Sequence, residues 1–138
     1  MTPPKVLPDV EKPLTAPFWA ALRERRLVVQ QCSRCGVKRY PAAPLCPGCL
    51  LSGGEWVDVA TEGDLWSYVV YHRALAPGFA DDIPYAVGLV EVDEARLQIV
   101  SRIDAPLDTI AIGARMRAQF TDVTDAVTLL SWIPADQP

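Results

Sequence analysis

The sequence predicts a mainly β protein made of a short N-terminal helix, a small zinc ribbon and a C-terminal five-stranded barrel. Three observations carry that expectation. Two C-x-x-C pairs, Cys32/Cys35 and Cys46/Cys49, use all four cysteines of the chain. A helical spacing of apolar residues lies just ahead of the first pair. After residue 54 the pattern changes to short apolar segments with turn residues between them and no long helix. The expected division is therefore an extended lead-in over 1–14, helix and ribbon over 15–54, and the barrel over 55–138.

Four prolines and little apolar pattern in residues 1–14 predict an extended or disordered lead-in. Thr15 is placed as an N-cap, with Pro17 tolerated in the first turn. Phe18 and Leu22 lie four apart on one face of a helix ending near Arg25, and Trp19 lies beside that face. A helix this short must dock on something. It either covers the domain's own core or offers Phe18 and Trp19 to a partner.

Leu27–Gln31 reads as a strand entering the first cysteine pair, and Lys38–Tyr40 leaves it. Ten residues separate Cys35 from Cys46. Two residues between thiols let both sulfurs of a pair face one point from a tight turn. Two such turns supply the four thiolates that zinc accepts in a closed structural site. Gly36 after the first pair and Gly48 inside the second allow the positive φ that such turns need. Iron uses similar ligands, so the metal is not fixed by spacing alone. Two disulfides fit less well, because the chain has no signal-peptide pattern and reads as cytoplasmic, where thiols stay reduced, and a redox pair would not need a matched second pair.

Short β segments are expected at 55–60, 63–72, 85–92, 97–103, 114–120 and 128–133, and about five strands with no long helix between them favour a small antiparallel barrel. Along 63–72, Trp66, Tyr68 and Val70 alternate with Leu65, Val69 and Tyr71. Residues 93–96 make the loop of a hairpin. The break 74–84, with Phe79 at its centre, is where a loop on a rigid barrel could meet a ligand.

Charge is uneven. Residues 23–39 carry Arg23, Arg25, Arg26, Arg34, Lys38 and Arg39 against Glu24, while residues 55–138 carry 14 acidic and 5 basic side chains. The acidic half argues against a nucleic-acid binder, since phosphate contacts supply most of that affinity. No apolar run approaches the roughly 20 residues that span a bilayer. Catalytic signatures are missing: one histidine, His72, stands at a strand end, every cysteine is committed to metal, and no nucleophile elbow, phosphate loop or dinucleotide fingerprint occurs. No catalytic residue is assigned.

Cys32-Ser-Arg-Cys35-Gly36, Pro41, Cys46-Pro-Gly-Cys49, Gly63, Ile83-Pro84-Tyr85-Ala86-Val87-Gly88 and Ile112-Gly113-Ala114 follow one another in an order that resembles the domain-of-unknown-function-thirty-five family. The likeness covers residues from about 15 to 134. It implies a rubredoxin-like zinc ribbon joined to an OB-fold barrel, with structural zinc. It also implies a non-catalytic accessory subunit of a thiolase-like enzyme acting on acyl-CoA thioesters, the most specific version being a retro-aldolase in steroid side-chain degradation. Phe18, Trp19, Arg23 and Arg26 would then form or flank the partner interface, with acyl-CoA at or near it and Phe79 lining the acyl end. A stand-alone acyl-CoA binding protein and a single-stranded nucleic-acid-binding OB protein are the alternatives. Glu94-Ala95 departs from relatives that carry glycine in that hairpin, which puts the local turn geometry in question.

Overall fold

The structure, a computed structural model, describes residues 2–137. The lead-in has no strand and no helix before residue 16, but it is laid against the molecule. A Cβ on Gly78 would lie 2.8 Å from Lys5 Cα, so glycine lets the arm pass close. Lys5 pairs with Asp82 at 3.2 Å and sits 5.2 Å above the Phe79 ring.

Helix α1 spans Ala16–Arg23. Thr15 takes the N-cap position, but its side chain makes no capping bond; its carbonyl accepts the Phe18 N–H at 3.0 Å. The helix stops at Arg25, whose φ of 63° turns the chain left-handed. The Arg25 and Arg26 amides donate back to the Leu22 and Ala21 carbonyls, closing the helix end. Phe18, Ala21 and Leu22 are buried. Of the two readings of this helix, the structure shows Phe18 and Leu22 in the domain's own core.

The ribbon holds a three-stranded sheet of β1 (Leu27–Gln31), β2 (Lys38–Arg39) and β3 (Glu55–Val59), in the order β2-β1-β3. The segment expected to open the barrel is therefore a ribbon strand: β3 pairs along all of β1, from Leu27 opposite Val59 to Gln31 opposite Glu55. Sheet pairing thus crosses the expected division at 54/55. β2 covers only Gln30 and Gln31 on one edge of β1, and β3 pairs along the whole of the opposite edge, which would otherwise present unpaired backbone groups.

Five strands close the barrel: β4 (Glu62–Tyr71), β5 (Tyr85–Val92), β6 (Gln98–Ile103), β7 (Arg115–Asp122) and β8 (Thr128–Pro134), in the order β4-β5-β6-β8-β7. The expected antiparallel barrel has one exception, because β6 and β8 run parallel where Arg102 and Ile103 face Ser131 and Trp132. That crossover order is the Greek-key closure of an OB-fold. A β-bulge between Leu65 and Ser67 also breaks the simple alternation expected for β4. Leu65 is buried, Tyr68 and Val70 pack on the core, and Trp66 is left 57% exposed. One extra residue in a strand shifts every later side chain to the opposite face.

One apolar core serves all three parts. Phe18 and Leu22 from the helix, Leu27 and Val29 from the ribbon, and Leu65, Val90, Ile99, Met116 and Trp132 from the barrel belong to a single buried cluster. Among the described residues no helix is long and apolar enough to cross a membrane.

Candidate metal centre and the adjoining groove

Two turns of the same design carry the cysteines. In the first, Cys32 N–H donates to Val37 O at 2.9 Å and Gly36 N–H to Cys32 O at 3.1 Å. In the second, Cys46 N–H donates to Leu51 O at 2.9 Å and Leu50 N–H to Cys46 O at 2.8 Å. These closures turn all four sulfurs to one point, where they lie within 4.8 Å of one another. Cys32 and Cys49 sulfurs are 3.7 Å apart, and Cys35 and Cys46 sulfurs 3.5 Å. A tetrahedron with zinc–sulfur bonds of about 2.3 Å has sulfur–sulfur edges of about 3.8 Å, close to these two separations, so the donor set fits zinc. Four thiolates also leave no open position for substrate, which makes the site structural.

Backbone amides favour the anionic form at Cys32 and Cys46. The amides of Cys35 and Arg34 bring the Cys32 thiol down to about 6, and the Cys49 amide lowers Cys46. At Cys35 the Val37 amide pulls down, but the neighbouring sulfurs and loss of solvent outweigh it and the pKa rises to about 11. Crowded thiolates repel one another, and a divalent cation at their centre removes that repulsion.

The ribbon has a buried cation that sequence reading did not single out as structural. Arg39 is 5% exposed. Its Nε donates to Gln30 Oε1 at 3.0 Å and to the Ala43 carbonyl at 3.1 Å, and Nη2 donates to the Gly53 carbonyl at 3.2 Å. It ties β1 to both loops that frame the second cysteine pair. A buried arginine held by carbonyls has no acidic partner in sequence that could have announced it.

Beside the ribbon, helix α1 and the barrel enclose a groove of about 420 Å³. Phe18, Trp19 and Phe79, singled out separately from the sequence, come together in its lining with Tyr40 and Leu130. Trp19 stands edge-on to Phe18 at 5.2 Å, and the Tyr40 ring lies tilted at 5.7 Å from Phe18. Burial pushes the Tyr40 phenol up. At the lip, Phe79 stacks on Tyr85 at 5.4 Å and Tyr85 on Tyr71 at 5.3 Å. Arg102 lies 4.9 Å over the Tyr85 ring and hydrogen-bonds Asp82, which also holds Lys5. Arg23 and Arg26 do not reach the groove: Arg26 is tied to Asp58 and Glu24, and Arg23 is exposed at the helix end. Lys5, Tyr40 and Arg102 carry no sequence signal for the groove, because they meet only across the folded chain. A larger opening of about 740 Å³ between 103–116 and 134–137 is lined by none of the candidate metal, partner or ligand residues named from the sequence.

Paired cysteine turns fused through one core to a closed Greek-key barrel define a zinc-ribbon OB-fold protein. The comparisons agree. The model of the ChsH2 rubredoxin-like zinc ribbon domain matches residues 19–55, and that of the ChsH2 C-terminal OB-fold domain matches residues 56–121. A chain of the Ltp2-ChsH2(DUF35) aldolase superposes with a TM-score of 0.78 at 31% identity, over 93% of this chain and 99% of that one. A DUF35-family protein of unknown function from Sulfolobus solfataricus shares the fold, with a TM-score of 0.60 at 17% identity over 88% of this chain and 85% of that one. The chain belongs to the DUF35 family of ChsH2-type zinc-ribbon OB-fold proteins. Two curated relatives are a probable enoyl-CoA hydratase alpha subunit of Thermomonospora curvata, 34% identical over 86% of this chain, and the 3-oxo-4,17-pregnadiene-20-carboxyl-CoA hydratase alpha subunit of Mycobacterium tuberculosis, 28% identical over 87%. This chain spans 37% of the length of each.

Proposed function

We propose that the protein is a non-catalytic accessory subunit of a thiolase-like enzyme that makes or breaks carbon–carbon bonds in acyl-CoA thioesters. A retro-aldolase acting on steroid side chains is the most specific form of this reading. The observation that carries it is the end-to-end likeness to the DUF35 chain of an aldolase complex, at 31% identity and 99% coverage of that chain. The hydratase alpha subunits among its relatives, one of them acting on a steroid-derived CoA thioester, support the same substrate class. In this reading the partner supplies the catalytic groups, in the cytoplasm, and this chain supplies a rigid surface.

The groove gives that surface a use. Its apolar lining suits an apolar acyl group, and Lys5 and Arg102 stand at its lip, paired with Asp82. The Asp82 bridge leaves little free charge there, so the groove contributes shape more than phosphate binding. Co-expression with a thiolase-like subunit of the same organism tests the proposal. The expected result is one complex of fixed composition on size exclusion. Two separate peaks at micromolar concentration would reject it.

A further inference from the structure

Four non-glycine residues have positive φ among the described residues: Arg25, Leu50, Glu94 and Arg96. Three are charged and have an evident reason to be there. Arg25 ends the helix and its guanidinium is anchored on Asp122, and Glu94 and Arg96 form the tip of the β5–β6 hairpin. Leu50 is different. It is apolar, its φ is 64°, and its side chain is 71% exposed.

The first cysteine turn shows what the fold itself asks for at this place. Gly36 follows Cys35 as Leu50 follows Cys49, with the matching hydrogen bond to the first cysteine's carbonyl. Gly36 has φ 77°, the conformation in which glycine carries no steric penalty. Leucine at the equivalent site bears backbone strain and leaves its side chain in water. Strain maintained at an exposed site points to use elsewhere.

Leu50 is not isolated. Val37, Leu45 and Leu51 are also exposed on these two turns. A Cβ on Gly48 would meet Val37 Cγ2 at 3.1 Å, so Val37 leans across the second turn and joins the two halves of the patch. No acidic residue occurs from Arg25 to Gly54, although the chain as a whole carries a net charge of −4. The charged side chains that reach the surface at this tip are Arg34 and Lys38, and Tyr40 is the one aromatic residue between Cys32 and Gly54. A cationic apolar tip lacking stacking rings suits a protein surface better than bases.

We infer that the metal-ribbon tip, centred on Leu50, is the docking surface for a protein subunit that offers an apolar pocket rimmed by carboxylates. This rests on the accessory-subunit reading and names the part of the chain that makes the contact. Leu50 is the anchor, Val37, Leu45 and Leu51 exclude water around it, and Arg34 and Lys38 meet the acidic rim.

The test measures binding of purified thiolase-like subunit to the zinc-loaded chain by calorimetry, for wild type, Leu50→Gly and Arg34→Glu. Metal content and melting are recorded for each. Leu50→Gly should keep its zinc and melt at or above the wild-type temperature while Kd rises at least tenfold. Arg34→Glu, which leaves the backbone alone, should also weaken binding, and the wild-type affinity should fall with added salt. Wild-type affinity in Leu50→Gly overturns the inference while leaving the accessory role standing. So does Leu50-dependent binding to anionic phospholipid vesicles or to single-stranded DNA in place of the subunit. Loss of zinc in Leu50→Gly would assign the leucine to the fold and overturn it too. A wild-type chain that does not bind the subunit overturns both readings.

Discussion

Trp132 Nε1 donates to the Ile99 carbonyl at 3.0 Å, joining the last barrel strand to the third through the middle of the core. The indole is fully buried and belongs to the same cluster as Phe18, Leu22 and Leu27. It is among the largest fully buried side chains of the core that helix, ribbon and barrel share. Trp132→Phe keeps much of the volume but leaves the Ile99 carbonyl without its donor, at a cost of about 1–3 kcal/mol. Trp132→Ala adds a cavity and should cost about 3–5 kcal/mol. Urea unfolding of both variants checks the order, and equal losses would show that volume alone matters.

Glycine positions separate two kinds of constraint. A Cβ on Gly63 would lie 2.0 Å from the Glu91 carbonyl oxygen, inside the β4–β5 pairing. Gly36 has open space around it and only its φ to defend. Gly63→Ala should therefore cost more than about 3 kcal/mol or fail to fold, and Gly36→Ala about 1 kcal/mol. Thermal melting ranks them; the reverse order would contradict the close strand approach.

Metal removal should reach beyond the ribbon. Leu27 and Val29 sit in the shared core, so loosening β1 exposes the helix and barrel side chains packed on it. Cys46→Ser, or chelation, should lower the melting temperature of the whole chain in one transition. Two separate transitions, with an unchanged barrel, would show that the parts are independent.

Acid should weaken the fold through paired carboxylates. Arg25 holds Asp122 below the ordinary value of 3.8, Arg102 does so for Asp82, and Arg115 for Asp93. A depressed folded-state pKa contributes stability that is complete above the unfolded value and is lost as pH falls through the depressed one. Asp122→Asn should thus destabilise the chain at about pH 7, and the gap to wild type should narrow below 3.8 and close only once pH has fallen through the depressed folded-state value. Melting across that pH range decides it; a difference that persists in acid would assign the effect to packing.

The cysteine centre and most strands could be read from the chain because both depend on local spacing. Two residues between thiols fix a turn, and alternation fixes a strand. What escaped depends on contacts between distant segments. The bulge at Trp66 inserts a residue without any glycine or proline to mark it, so the facing of Tyr68 and Val70 relative to Leu65 was not visible. Glu55–Val59 has the pattern of any half-buried strand, and only the open β1 edge decides which sheet it joins. The groove gathered Phe18, Trp19 and Phe79 as residues of interest, but Tyr40, Lys5 and Arg102 enter it through tertiary packing alone. Glu94, where glycine was missed in the hairpin, adopts φ 67°, so the turn keeps its left-handed geometry with a non-glycine residue.

The proposed division of labour between this chain and a thiolase-like subunit is tested most directly by assaying carbon–carbon cleavage of a steroid acyl-CoA thioester with each chain alone and with both. The account predicts no turnover by this chain, turnover by the mixture, and loss of turnover when catalytic groups of the thiolase-like chain are replaced. Turnover by the purified zinc-ribbon chain on its own would contradict it.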